Sequence, residues 1–179
     1  MTSIDAGAFQ NCTSLTSVTI PDSVTSIGGR AFANCSSLGS ISIPDSLTSI
    51  GGGAFSNCAE GLFVVVRGVR IVGKWAVGWC NGYSGDIPAG ICGIADDSFS
   101  YYVHRLPTVT IPDGVIRIGR RAFRRCMSLR SVSIPDSVAY IEDEAFADCP
   151  ELSEIRMNPV EGRFIADSAF SGCPGWKNG

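Results

Sequence analysis

Histidine is nearly missing: the chain of 179 residues has one, His104 in SYYVHRLP, with no signature pairing it to a nucleophile. A solvated or structurally hydrogen-bonded imidazole is the expected role, rather than a base or metal ligand. Long apolar runs are missing too, none approaching the ~18 residues of a membrane-spanning helix. The N-terminal MTSIDAGAFQ lacks the basic and hydrophobic regions of an export leader. Neither charge sign dominates. With 14 basic and 17 acidic residues the net charge is −3, which offers no overall attraction to nucleic acid or anionic membrane. No CxxC pair accompanies the eight cysteines, so structural zinc is not expected. The glycine steps at Gly28, Gly29, Gly51, Gly52 and Gly53 do not make GxxxxGK(S/T), which removes a phosphate loop. No enzyme, metal or cofactor is expected.

What the chain has instead is a 23-residue unit of the form AFxxCxxLxxVxIPDxVxxIGxx, recurring from one end to the other. Phe9, Phe32 and Phe55 lie 23 apart, as do Phe123 and Phe146, while Phe99 and Phe170 each lie 24 from a neighbour. A fixed period of this size marks a solenoid, whose units bury their apolar faces only against one another. Because residue 1 falls just before an AF element with no polar capping unit ahead of it, a piece of a longer array is expected.

Within a unit, LTSVTIP reads as a short strand with Leu15, Val18 and Ile20 inward and Ser17 and Thr19 outward. Pro21 ends it, since it has no N–H to donate. An irregular crossing anchored by Val24 and Ile27 should follow, then a short helical turn carrying Ala31 and Phe32. Cys12, Cys35, Cys58, Cys126, Cys149 and Cys173 each stand three residues after an AF phenylalanine. Stacked in a column with parallel side chains they cannot reach a disulfide dihedral, so buried free thiols are expected. Cys80 and Cys92 lie off the column and form the only plausible disulfide pair. The sequons at Asn11 and Asn34 overlap this element and read as chance matches.

One unit loses its signature. LFVVVRGVRIVGKWAVGWCNGYSGD, from Leu62 to Asp86, puts Val64 and Val66 at inward strand positions and Phe63 and Val65 outward. VRIVGKWAVGW then reads as a hairpin turning at Gly73 and Lys74. The hairpin covers Phe63 and Val65 with Trp75 or Trp79, or else these residues form an exposed aromatic binding surface together with Tyr83, Tyr101 and Tyr102.

Two further features invite a functional reading. Arg117, Arg120, Arg121, Arg124, Arg125 and Arg130 crowd one unit and suggest an anion site. Acids one repeat away argue for a ladder of inter-repeat ion pairs, with Arg120 between Asp96 and Asp143, Arg121 between Asp97 and Glu144, and Arg125 against Asp148. Arg117, Arg124 and Arg130 are then the less well paired members. The second feature is a row of outward hydroxyls: Ser17 and Thr19, Ser40 and Ser42, Thr108 and Thr110, Ser131 and Ser133. They suit solvent-facing strands and are equally the first choice for a face that contacts protein or glycan.

SLTSVTIPDSVTSIGGRAFANCSSL, Ser14 to Leu38, resembles the BspA-like leucine-rich repeat family at the AF pair, the Cys, the IPD turn and the IG step. The resemblance covers nearly the whole chain and departs from it between Asp86 and Leu106. It implies an α/β repeat fold, a leucine-rich-repeat solenoid of about eight units with short parallel strands on one face and turns or short helices on the other. A single solenoid over 1–179 is expected, with regular repeats over 1–61, irregular repeats with the hairpin over 62–106, and regular repeats over 107–179 to the C-terminal end. It also implies non-enzymatic binding of a protein or glycan in a surface or secreted, extracellular adhesin-like protein, with a purely structural spacer as the competing role. A monomer is expected.

Overall fold

The computed structural model describes residues 2–79, 86–100 and 107–176. Before the hairpin the strands are β1 (Ser3–Ile4), β2 (Ser17–Thr19), β3 (Ser26–Ile27), β4 (Ser40–Ser42) and β5 (Ser49–Ile50). The irregular unit supplies β6 (Val64–Val66), β7 (Val69–Val72) and β8 (Trp75–Trp79). After it come β9 (Gly93–Ile94), β10 (Thr108–Thr110), β11 (Arg117–Ile118), β12 (Ser131–Ser133), β13 (Tyr140–Ile141), β14 (Glu154–Arg156) and β15 (Phe164–Ile165).

A regular unit thus contributes two strands, one to each of two faces. The three-residue strands build the first face, as β2-β4 and β10-β12-β14. The two-residue strands build the second, as β1-β3-β5 and then β15-β13-β11-β9-β8-β7-β6. Pairing between regular rungs is parallel, with Ile27 opposite Ile50 and Val132 opposite Ile155. Seven two-residue strands stack and β8 stands in for one more, so the expected eight units amount to about seven turns and a hairpin.

Two local expectations are corrected. The crossing at Val24 and Ile27 contains a strand, β3. The AF segment is a run of turns, and among the described residues there is no α-helix, only a 3-10 turn at Glu60–Leu62. The backbone supplies the reason. Arg30 (φ 56°) and Asn34 (φ 62°) flank Phe32 in the left-handed region, and the same offsets recur as Gly7 and Asn11, Gly53 and Asn57, Arg121 and Arg125, Glu144 and Asp148. Left-handed residues twice per turn of chain leave no room for a right-handed helix. The IG step is a close approach between rungs: a Cβ on Gly28 would lie 2.5 Å from the Ala6 nitrogen.

Two apolar clusters form the core, one around Phe32 and one around Phe123. Their phenylalanines stack at the strand spacing, 5.2 and 5.6 Å apart through Phe9, Phe32 and Phe55, then 5.1, 5.0 and 5.1 Å through Phe99, Phe123, Phe146 and Phe170. The hairpin belongs to both clusters: Val72 and Trp75 pack with the first, Val69, Ile71 and Ala76 with the second. Its first partner departs from expectation. Val64 and Val66 are exposed along with Val65, because β6 pairs antiparallel with β7 instead of joining the first-face strands.

The cysteines form the expected column, more open at Cys12 and at Cys58 beside the hairpin unit. Cys35, Cys126, Cys149 and Cys173 are buried free thiols, Cys58 is half-buried and Cys12 exposed. Each column thiol from Cys35 onward donates to the phenylalanine carbonyl of the preceding rung: Cys35 to Phe9 (3.1 Å), Cys58 to Phe32 (3.1 Å), Cys126 to Phe99 (3.6 Å), Cys149 to Phe123 (3.3 Å) and Cys173 to Phe146 (2.9 Å). Burial pushes Cys58 up to about 11, and hydrogen bonding to Cys126 raises Cys149 to about 12. These sulfurs stay protonated at neutral pH, where a nucleophile needs a thiolate.

Candidate functional site

The three surfaces singled out in the sequence fare differently. On the first face the hydroxyl row exists in register, Ser17 beside Ser40 and Thr19 beside Ser42, then Thr108 beside Ser131 and Thr110 beside Ser133. It is interrupted between β4 and β10, which share no sheet, and it ends at Glu154 and Arg156, paired to each other at 2.7 Å. Residues Tyr83, Tyr101, Tyr102 and His104, and Cys80 of the suggested disulfide, lie outside the described residues.

The arginine unit is a network of ion pairs, with corrected partners. Arg121 reaches Glu144 (3.2 Å) and Arg125 reaches Asp148 (3.5 Å), as the register suggested. The three arginines expected to be poorly paired are paired as well. Arg117 meets Glu142 (3.4 Å) and Asp96 (4.0 Å), Arg124 meets Glu144 (3.0 Å) and Asp148 (3.2 Å), and Arg130 meets Glu151 (3.4 Å). Asp143 accepts from Ser168 Oγ (3.1 Å). Arginine side chains are long enough to reach diagonally across rungs, which a strict column register does not anticipate. The guanidinium of Arg121 holds the Glu144 carboxyl below its usual range, while burial lifts Asp96 above it.

The irregular unit yields two openings. The smaller, of about 240 Å³, is lined by Phe55, Phe63, Arg70, Trp79 and Asp97 among others, with the Arg70 guanidinium 5.1 Å above the Phe63 ring. Phe63 and Trp79 therefore meet there, whereas Val65 stays exposed and away from both linings.

The larger is a groove of about 890 Å³ over the second face. One wall is Ile43 to Thr48, the other Ile116, Arg117, Tyr140 and Glu142, and the hairpin turn Gly73–Trp75 lies between them. Lys74 clamps the turn to the first wall through Asp45 at 2.7 Å, and that contact lowers the Asp45 carboxyl and raises the Lys74 ammonium. Trp75 is only 3% exposed because its ring lies where a side chain on Gly93, its cross-strand partner, would stand. Sequence reasoning named Trp75 but missed Gly93, Tyr140 and Ile116. The signal available was that Tyr140 and Phe164 occupy the position filled by Ser26 and Ser49 in earlier rungs.

The BspA-type leucine-rich repeat region matches the chain over residues 2–83 and 93–178, in six copies. The chain belongs to this family. Among solved structures it is similar to a leucine rich cell surface protein from Faecalibacterium prausnitzii A2-165, at 25% identity over 96% of this chain and 55% of that one, with a TM-score of 0.58. It is also similar to a leucine-rich repeat protein from Bacteroides ovatus ATCC 8483, at 34% identity over 87% of this chain and 34% of that one (TM-score 0.41). A third similar structure is the leucine-rich repeat protein of T. pallidum, at 30% identity over 87% and 63% (TM-score 0.41). The chain spans less than two thirds of each of these three relatives' lengths. No curated protein matches it. No helix among the described residues is long and apolar enough to cross a membrane.

Proposed function

We propose that this BspA-type segment is a non-enzymatic recognition module, binding protein or glycan, within a surface or secreted adhesin-like protein. The observation that carries the reading is the hairpin junction. There the repeat gives up its regular face, opens the 890 Å³ groove and leaves apolar residues such as Ile116 and Tyr140 half exposed beside it. Concave openings of this size lined by apolar groups and a few polar ones are the usual form of a ligand site. The description of the F. prausnitzii relative as a cell surface protein supports the setting. The raised thiols oppose cysteine catalysis.

The test is binding of the chain to panels of extracellular matrix proteins and glycans, for the wild type and for Lys74→Glu, which replaces the clamp to Asp45 with repulsion. Wild-type binding that the variant loses supports the module. Background signal for both supports the second reading, a structural spacer, which the extensive pairing between successive rungs favours.

A further inference from the structure

Resting on that reading, we propose that the groove beside the hairpin turn binds a short neutral saccharide. Trp75, Gly93, Arg117 and Tyr140 are successive partners across β8, β9, β11 and β13, and Phe164 on β15 continues the row. Side chains at such positions repeat at roughly 4.8 Å. The stretch from Trp75 to Tyr140 is three spacings, roughly 14 Å, the length of a di- or trisaccharide. Gly93 gives the row its shape: with no side chain of its own it leaves space for the Trp75 ring to lie across the strand beneath the groove. The Trp75 ring, 3% exposed, backs the groove from beneath, and the half-exposed Tyr140 ring and Ile116 side chain are the apolar surfaces that match the C–H face of a pyranose.

The charges decide against an ionic ligand. The lining carries two cations, Lys74 and Arg117, and two carboxylates, Asp45 and Glu142, paired as Lys74–Asp45 (2.7 Å) and Arg117–Glu142 (3.4 Å). The groove presents no net charge to attract a sulfate, phosphate or carboxylate, yet each carboxylate keeps lone pairs free for hydroxyl donors. Arg117, whose side chain is 24% exposed in the lining, adds a guanidinium donor.

The backbone decides against a peptide. Second-face main-chain groups beneath the groove are already engaged: Ile116 N–H donates to the Cys92 carbonyl, and the Ile116 carbonyl accepts from Ala139 and Tyr140. These Ile116 groups are therefore closed to strand addition, the mode by which extended peptides gain main-chain bonds. Hydroxyl-rich rings need no such bonds.

The experiment titrates the wild-type chain by calorimetry with neutral gluco-, manno- and galacto-trisaccharides, a sulfated disaccharide and an apolar hexapeptide. It then repeats the titrations with Tyr140→Ala and Glu142→Gln, each checked for an unchanged melting temperature. The expected result is saturable binding of at least one neutral trisaccharide, unaffected by 0.5 M salt and weakened about tenfold or more by Tyr140→Ala. Glu142→Gln should weaken it severalfold. Binding confined to the sulfated sugar or to the peptide overturns the proposal, as does equal affinity in Tyr140→Ala or no neutral saccharide bound at millimolar concentration. If matrix proteins bind through the hairpin while saccharides do not, the saccharide assignment falls and the recognition reading stands.

Discussion

Two residues after Phe9, Phe32, Phe55, Phe123 and Phe146 the backbone turns left-handed, and the rungs before and after the hairpin fill that position with different chemistry. Before it stand Asn11 (φ 64°), Asn34 (φ 62°) and Asn57 (φ 57°); after it stand Arg125 (φ 58°) and Asp148 (φ 58°). Asparagine tolerates this conformation better than most residues, and its amide both donates and accepts. Identical side chains can therefore link end to end, as Asn57 to Asn34 and Asn34 to Asn11 do, each at 2.8 Å. The charged version cannot use identical neighbours and must alternate in sign, as Arg125 and Asp148 do at 3.5 Å. One backbone thus accepts a ladder indifferent to rung order and a ladder that specifies which rung follows which.

The sharpest way to compare the two blocks is through the phenylalanines they share. Phe123 is fully buried between Phe99 and Phe146, while Phe9 at the end of its stack is 41% exposed. Phe123→Ala should cost about 3 to 5 kcal/mol, the range for deleting a buried aromatic. Phe9→Ala should cost about 1 kcal/mol, since much of its ring is already in water. Urea midpoints measure both, and equal shifts would show that the end rung is packed as tightly as the middle.

Next in size is the amide ladder. Asn34→Ala removes two inter-rung hydrogen bonds, each worth about 0.5 to 1.5 kcal/mol, and places alanine in a left-handed conformation costing about 1 kcal/mol more. A loss of about 2 to 4 kcal/mol is expected, identical at low and high salt because no charge is involved. A loss that shrinks with salt would mean the N-terminal rungs are held by charges after all.

Much of this comparison was visible in the residues, and the failures have physical causes. The 23-residue register, the inward Val18 and Ile20, the hairpin turn at Gly73 and Lys74 and the thiol column follow from side-chain chemistry repeated at fixed offsets. The helical turn at Ala31 and Phe32 was wrong although its refutation was in view: Gly7, Asn11, Gly53 and Asn57 bracket the AF pair with residues that favour left-handed backbone. Strand β3 escaped because two residues are too few for an alternation to register. Arg117 and Arg124 were misjudged because they pair diagonally, with Glu142 and Glu144. The groove was not legible at all, since it depends on Trp75 lying over Gly93, and neither residue announces the other.

The smallest expected effect is the most discriminating. Glu144 accepts from Arg121 Nε and Nη2, both at 3.2 Å, and lies 3.0 Å from Arg124, so it is the acidic hub of the C-terminal ladder. At neutral pH and low salt Glu144→Gln should cost at most about 1 kcal/mol, because these groups remain partly solvated. The bond to Arg121 lowers the carboxyl in the folded state, so its contribution is present above the ordinary glutamate range of about 4.3 and disappears as pH falls through the lowered value. The difference between wild type and variant should therefore close in high salt and close again in acid, whereas the Asn34→Ala deficit should persist under both conditions. Measuring melting temperatures of wild type and both variants in low salt, in high salt and in acid separates a ladder that chooses its neighbours by charge from one that merely links them.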